Sequence, residues 1–423
     1  MLIEISVTNF KSIQTKQTLS LMASTASELR NQNTFPIFEQ DTPRLLRSAA
    51  IYGPNASGKT NFIEAIEFIK DFVVESSKEG QEGKPVDVKP FLFDYHNRNK
   101  PSEFEILFMQ DGIRYQYGFA VNRTHVTHEW LIAYPEGRPQ RWFEREFNID
   151  EKSYSWYFGS KFKGHKIVLQ EATRTNALFL STSVQLNNDQ LKPIYNWFYQ
   201  ELHVITSVAG LPPTYSTAMC RTDEGRRRIL KFLNAADLSI ADIKVEMKKF
   251  DSTALPSDMP EPIKDLIRKD LDGTEIPDLK FLHSVKNTAE LVPLDDDDES
   301  VGTRKLFAIS GPWLDILDNG HVLIVDEMNN SMHPLMVRFL IGLINNPESN
   351  KHNAQVIFST HDTSVLDNDL FRRDQIWFTE KDSANSTKLY PLSDFTPRKG
   401  EALEKGYLKG RYGALPYIGE MRF

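Results

Sequence analysis

The sequence predicts an α/β fold with three parts: a mostly parallel core sheet, an antiparallel β layer and an inserted helical subdomain. Three observations carry that prediction. Short apolar strands alternate with amphipathic helices at both ends of the chain, in "RSAAIYGPNASGKTNFIEAIEFIKDFVV" and again in "HVLIVDEMNNSMHPLMVRFLIGLIN". Such alternation builds a parallel sheet covered by helices. From about Val86 to Leu180, runs of strand character are split by turn signals such as "DG" and "PEGRP", the pattern of antiparallel strands. From "NNDQLKPIYNWFYQEL" onward the apolar spacing becomes helical. The expected parts are residues 1–185, an N-terminal half with a glycine loop and the β layer; 186–293, the insertion; and 294–423, a C-terminal half.

The elements follow in order. "LIEISVTNF" alternates and reads as a strand. "RSAAIY" is a buried strand, and the helix after its glycine loop places Phe62, Ala65, Ile66, Ile69 and Val73 on one face. "SSKEGQEGKP" is a loop. "EFEILFMQ", "IRYQYGFAVN", "HVTHEWLIAY" and "SYSWYF" are strands, and the apolar "NALFL", with Gln185 after it, reads as another. "TDEGRRRILKFLNAAD" is a helix with Ile229, Leu230 and Leu233 as its buried stripe, and "PEPIKDLIRKDLDG" is a second. "DLKFLHSV" and "TAELVPL" pair as a hairpin. "GTRKLFAISGPWLDIL" and "PLMVRFLIGLIN" are helices; "HVLIVDE", "AQVIFSTH" and "DQIWFTE" are strands. The two ends are expected to share one sheet. No internal repeat and no long heptad run appears.

The 423 residues are 40% hydrophobic and 26% charged, with a net charge of −8. That excludes a globally basic nucleic-acid binder but leaves a local basic face open. A single cysteine, Cys220, excludes an internal disulfide or a cysteine zinc site and suits a reducing, cytoplasmic location. The chain shows neither a signal peptide nor a stretch apolar enough for a membrane span.

Three motifs carry chemistry. "GPNASGKT", Gly53–Thr60, matches the phosphate-binding pattern G-x-x-x-x-G-K-[ST] in full. The residues Gly53, Pro54, Asn55, Ala56, Ser57 and Gly58 let backbone N–H groups turn inward to phosphate oxygens. Lys59 offers a cation, Thr60 a hydroxyl for Mg2+, and Asn61 opens the following helix with its positive end. "HVLIVDE" delivers Asp326 and Glu327 at the tip of a buried strand, where ligands gather in open α/β sheets. Asp326 suits a metal; Glu327 suits a general base that activates water. "AQVIFSTHD" places His361 after another apolar strand, within reach of a γ-phosphate. The ordinary readings of these last two, a solvated acidic turn and a loop histidine, give way because the motifs come in this order.

That order resembles the ABC-type ATPase head, in the branch shared by SMC, RecF and RecN proteins. "ISVTNFKSI" resembles that branch's first strand and loop, "DEMNNSMHP" its Walker B acids and D-loop, and "STHD" its H-switch. The resemblance implies ATP and Mg2+ as cofactors and a homodimer or higher even-numbered oligomer. It also implies that "ESVGTRKLF" is the signature, with Ser300 and Gly302 completing the partner's nucleotide site; the usual two-glycine signature is absent here. Gln185 is the matching candidate for the metal-sensing glutamine. The chain further resembles the short AbiL and RloA type ATPases of bacterial abortive-infection and restriction-linked defence loci, in "NALFLSTSVQLNNDQL", "DESVGTRKLFAISGPWLDIL" and "YLKGRYGALPYIG". This implies a sensor or regulator of a separately encoded effector, a nuclease or toxin. The alternative is a RecF-like DNA repair and maintenance ATPase that binds DNA directly.

The segment between Thr60 and Asp326 is too long for a compact GTPase core, and the residues after His361 leave no room for a Toprim nuclease. Two basic features remain: Arg226, Arg227 and Arg228 at a helix start, and Lys405, Lys409 and Arg411 interleaved with Tyr407 and Tyr412. Each suits DNA, RNA or a partner protein, or an ordinary solvated face and packed tail, the favoured reading.

Overall fold

Ile3, Ile5 and Val7 alternate with Glu4, Ser6 and Thr8 in the opening strand, whose pairing shifts register between Leu2 and Glu4. In the computed structural model, residues 1–38, 42–78, 81, 83–251, 259–271, 273–330, 332–395 and 402–416 are described. They form two units, one of residues 1–208, 316–330 and 337–423, the other of 209–315 and 331–336. The first unit opens with β1 (Leu2–Thr8), β2 (Gln17–Ser20), α1 (Arg30–Asn33), β3 (Thr34–Pro36), β4 (Arg44–Leu46), β5 (Ser48–Tyr52) and α2 (Lys59–Glu75). Then come β6 (Ser102–Gln110), β7 (Ile113–Val121), β8 (Val126–Tyr134), β9 (Gln140–Asn148) and β10 (Ser153–Phe158). Next are α3 (Lys166–Ala172), α4 (Phe179–Gln185), α5 (Lys192–Asn196) and β11 (Leu202–Ile205). The second unit holds α6 (Thr214–Met219), α7 (Asp223–Ala235), β12 (Asp242–Lys249), α8 (Glu261–Leu271), β13 (Glu275–Ser284), β14 (Leu291–Asp295) and most of α9 (Val301–Asn319). The chain continues through β15 (Val322–Val325), α10 (Pro334–Asn345), β16 (Gln355–Ser359), β17 (Ile376–Lys381), β18 (Thr387–Pro391) and α11 (Leu403–Leu408).

The first unit contains the expected two layers. One sheet has the order β11-β15-β16-β5-β17-β18. Its first five strands are parallel and β18 closes the edge antiparallel. The N-terminal β5 thus lies between two C-terminal strands, so both ends of the chain share the sheet as expected. The other sheet is antiparallel, β10-β9-β8-β7-β6-β1-β2. Residues of α2 share one core with both: Phe62, Ile66 and Ile69 are buried together with Ile51, Ile324 and Ile357 of the parallel sheet and Ile5, Phe104 and Phe119 of the antiparallel one. Burying each such side chain contributes about 1.5–3 kcal/mol. All five α2 residues expected on the buried face are buried.

The second unit is smaller. Its three-stranded antiparallel sheet, β12-β13-β14, contains the expected hairpin plus one further strand. In α7, Ile229 and Leu233 are buried as expected, but Leu230 is only partly so and Phe232 takes its place. At the basic start of α7, Arg226 pairs with Asp223 at 3.0 Å and Asp242 at 3.3 Å, and Arg227 Nε donates to the Asp223 carbonyl at 3.1 Å.

Seven strands were not named from the sequence: β2, β3, β4, β9, β11, β12 and β18. One expected strand is absent, because "NALFL" turns into helix α4 at Phe179. The reason is Glu129, buried on β8, whose carboxylate accepts the N–H groups of Phe179 at 2.7 Å and Leu180 at 3.0 Å. It caps the first turn of α4 with a negative charge. In the expected loop at 76–85, residues 79, 80 and 82 lie outside the described set, as do Ser331 and residues 417–419 of the tail motif. Among the described residues no helix is long and apolar enough to cross a membrane.

Candidate functional site

β5 ends at Tyr52, the chain turns through Gly53–Gly58, and α2 begins at Lys59. Side chains are excluded at the two glycines of this loop. Gly58 has φ +109°, and a Cβ there would collide with the Thr387 side chain. A Cβ on Gly53 would run into Thr379. The loop is pressed this closely against β17 and β18 because hydroxyls tie it down. Ser57 Oγ lies 2.6 Å from Thr379 Oγ1, Thr387 Oγ1 donates to Ser57 O at 2.8 Å, and Ser12 Oγ lies 2.8 Å from Thr387 Oγ1. Asn61 Nδ2 donates to Ser12 Oγ at 2.6 Å, which joins the first turn of α2 to the loop after β1.

Lys59 is buried and donates to the carbonyls of Gly53 at 2.7 Å and Pro54 at 3.1 Å. Burial pulls its pKa down to about 8, against the opposing pull of Asp326 and Glu327. The cation is held within the loop whose curve suits an anion.

Asp326 and Glu327 follow β15. Asp326 is 3% exposed, and the Ser359 hydroxyl from the end of β16 donates to its Oδ1. The same hydroxyl accepts the Glu327 amide at 2.8 Å. Glu327 has φ +48°, a conformation that costs a non-glycine residue free energy. His361, after β16, brings Nε2 within 3.7 Å of Glu327 Oε1 and Nδ1 within 3.4 Å of Lys59 Nζ. Burial first, then the Lys59 charge, hold its pKa below the ordinary histidine value. The imidazole is therefore neutral near pH 7. Its backbone is fixed by Asn329, whose Oδ1 accepts from Thr360 Oγ1 at 3.0 Å and from His361 N at 3.3 Å.

These groups face one cavity of about 410 Å3, lined by Asn55–Asn61, Glu327, His361 and Lys381. That volume lies within the range of ligand pockets. Asp326 sits beside it through Ser359. Thr60 is exposed at its rim. The donor set fits Mg2+: a hydroxyl on Thr60 and a carboxylate on Asp326 are hard oxygen ligands. Lys59, helix α2 and the curved loop fit phosphate. Sequence reasoning missed Lys381, Ser359, Ser12 and Thr387. Ser359 and Ser12 stand inside quoted motifs, "FSTH" and "NFKS". Lys381 had one signal, its position at the C-terminal tip of a strand.

Three expected site residues, Gln185, Ser300 and Gly302, are not among those that line this cavity. Gln185 ends helix α4, is exposed, and is not among the residues lining the cavity. The strand that was expected to deliver it does not form. Ser300 and Gly302 belong to the second unit. Ser300 Oγ accepts the Thr303 amide at 3.0 Å and so caps α9; Gly302 lies in its first turn. The preceding aspartates make surface pairs, Lys280–Asp295 at 2.6 Å and Arg304–Asp297 at 3.1 Å.

Compared with solved structures, the chain is similar to the SMC head domain from Thermotoga maritima, with TM-score 0.41 and 12% identity over 92% of this chain and 98% of that one. It is similar to the same extent, TM-score 0.41 and 12% identity over 92% and 97%, to an SmcHead bound to the C-winged helix domain of ScpA. No curated protein matches its sequence. A family model described as "AAA domain, putative AbiEii toxin, Type IV TA system" matches residues 48–367. That span runs from β5 to just beyond His361 and holds every residue lining the cavity except Lys381, so the chain belongs to this family of AAA-domain proteins, the abortive-infection class of ATPase.

Proposed function

We propose that the chain is an ABC-type ATPase that binds and hydrolyses ATP with Mg2+ at a dimer interface. The observation that carries this reading is the convergence of Lys59, Thr60, Glu327 and His361 on one cavity, with buried Asp326 beside it. In this reading the loop amides of Gly53–Lys59 and the Lys59 ammonium hold the β- and γ-phosphates. Thr60 and Asp326 hold the metal; bound there, Mg2+ neutralises charge that develops on the phosphate oxygens. Glu327 takes the proton of the attacking water. His361, its backbone fixed by Asn329, donates one hydrogen bond to a γ-phosphate oxygen and orients Glu327. Ser300 and Gly302 are proposed to meet the γ-phosphate held by a second copy, with the positive end of α9 behind them. Gln185 remains a proposed metal contact only if α4 approaches the cavity in the nucleotide-bound state.

The further proposal is a sensor or regulator in prokaryotic antiphage defence, located in the cytoplasm and controlling a separately encoded nuclease or toxin. The family's description, with its toxin and type IV TA system, supports that context. The test is mass determination of the purified protein, alone and with the product of the adjacent reading frame, with and without ATP. ATP-dependent dimers that retain the neighbour support the reading. A monomer at saturating ATP contradicts the shared site.

A further inference from the structure

The segment Lys89–Lys100, "KPFLFDYHNRNK", is an irregular loop between α2 and β6 in the first unit. Phe91 is fully buried, but three neighbours are not. Leu92 is 56% exposed, Phe93 67% and Tyr95 76%. Apolar side chains this close together would ordinarily turn inward. Here the backbone prevents it. Asn9, itself 2% exposed, donates from Nδ2 to the carbonyls of Asn97 at 2.9 Å, Lys100 at 2.9 Å and Pro101 at 3.2 Å. Its Oδ1 accepts Phe91 N at 3.1 Å, and Lys11 N donates to Lys89 O at 2.7 Å. The rings are held outward on a fixed frame.

The end of this loop borders a cleft of about 230 Å3 lined by Arg98, Lys100 and Arg123 with Asn99, Asn122 and Thr124 among others. No carboxylate lines it. Among the described residues, neither Lys100 nor Arg123 takes part in an ion pair. Arg98 Nε donates to Leu92 O at 2.6 Å, which ties the cleft to the exposed rings. Two carboxylates lie in and just before the segment: Asp94 accepts Asn97 N at 2.9 Å, and the exposed Asp87 faces Lys89 at 4.0 Å.

We propose that this loop and cleft bind single-stranded nucleic acid, with Phe93 and Tyr95 as stacking platforms and Arg98, Lys100 and Arg123 as phosphate contacts. Cations alone would suit any polyanion. Cations beside outward-held rings suit a strand whose bases are free to stack. A duplex offers its bases to neither ring. The site is independent of the ATPase reading, although the Asn9–Ser12 turn that frames the loop also reaches Asn61 of α2.

The test is fluorescence anisotropy with labelled dT and rU strands of about 20 nucleotides and a duplex of equal length, without ATP, between about 50 and 200 mM salt. Single strands are expected to bind, more tightly than duplex. Phe93→Ala with Tyr95→Ala should weaken binding about ten-fold or more. Lys100→Glu with Arg123→Glu should weaken it too and flatten the salt dependence, by about 0.7 in log–log slope for each phosphate no longer neutralised. All four positions are exposed, and circular dichroism checks that the variants fold. A preference between dT and rU supports the site and names its polymer. Three results overturn the proposal: no binding at low salt, duplex bound as tightly as single strand, or either double variant binding like wild type.

Discussion

Glu327 stands at φ +48°, directly after a buried aspartate, in a conformation that the Ser359 hydroxyl, at the neighbouring strand end, holds by accepting the Glu327 amide. Strain of this kind costs about 1–3 kcal/mol and collects at functional sites. The opposite case is Gly58, where only a missing side chain fits. Gly58→Ala should destabilise the protein by about 1–3 kcal/mol, through backbone strain and the clash with Thr387, and should abolish ATP binding. Thermal unfolding and a nucleotide-binding assay check both. At this scale the sequence was most informative. A fixed spacing of glycines and a Lys-Thr pair leaves few other meanings, and two acids at a strand tip have few other uses beside it. Gln185 is not among the residues lining the cavity because the strand expected to deliver it is helix α4. Lys381 was not foreseen because a lysine at a strand end looks like any solvated lysine.

Elements were legible where burial followed a clean period and hidden where it did not. Strand β9, "QRWFEREFN", reads as polar because Arg145 sits among glutamates, yet Arg145 is fully buried against Glu129, with Nε 2.9 Å from Oε2. Glu129 also accepts from Tyr117 Oη at 2.9 Å and from the start of α4. This buried pair thus joins β7, β8, β9 and α4. Arg145→Met should cost about 3–5 kcal/mol in denaturant unfolding, because it leaves a buried carboxylate without its cation. Strands β11 and β18 escaped notice for simpler reasons: four residues in one, and a terminal proline in the other. In α9, Ser300→Ala removes a helix cap and should cost about 1 kcal/mol, whereas Ser300→Thr should keep most of it. If Ser300 also completes a partner's site, Ser300→Ala loses ATP turnover per folded molecule. Turnover equal to wild type would leave the cap as its only role.

For the whole molecule, the two-ended sheet was readable because both ends carry the same strand–helix alternation. The aromatic loop at Lys89–Lys100 was not singled out, although its interleaved basic and aromatic residues were visible; burial decides which rings face outward. In the tail motif the tyrosines pack, Tyr407 and Tyr412 stacking on Phe378 at centroid distances of 5.3 Å and 6.0 Å, while Lys405, Lys409 and Arg411 are exposed. The lone Cys220 offers a probe of the second unit. Burial pushes its pKa up to about 12, so its thiolate is scarce at neutral pH and the native protein should resist thiol reagents. Labelling should appear with unfolding of that unit; rapid labelling of the native state would contradict its burial. The central claim is that this cavity hydrolyses ATP with Glu327 as the base. It is tested most directly by phosphate release and ATP binding measured side by side for Glu327→Gln. Glu327→Gln is expected to bind ATP like wild type and to turn over about 10²–10⁴-fold more slowly; phosphate release at the wild-type rate would rule Glu327 out as the base.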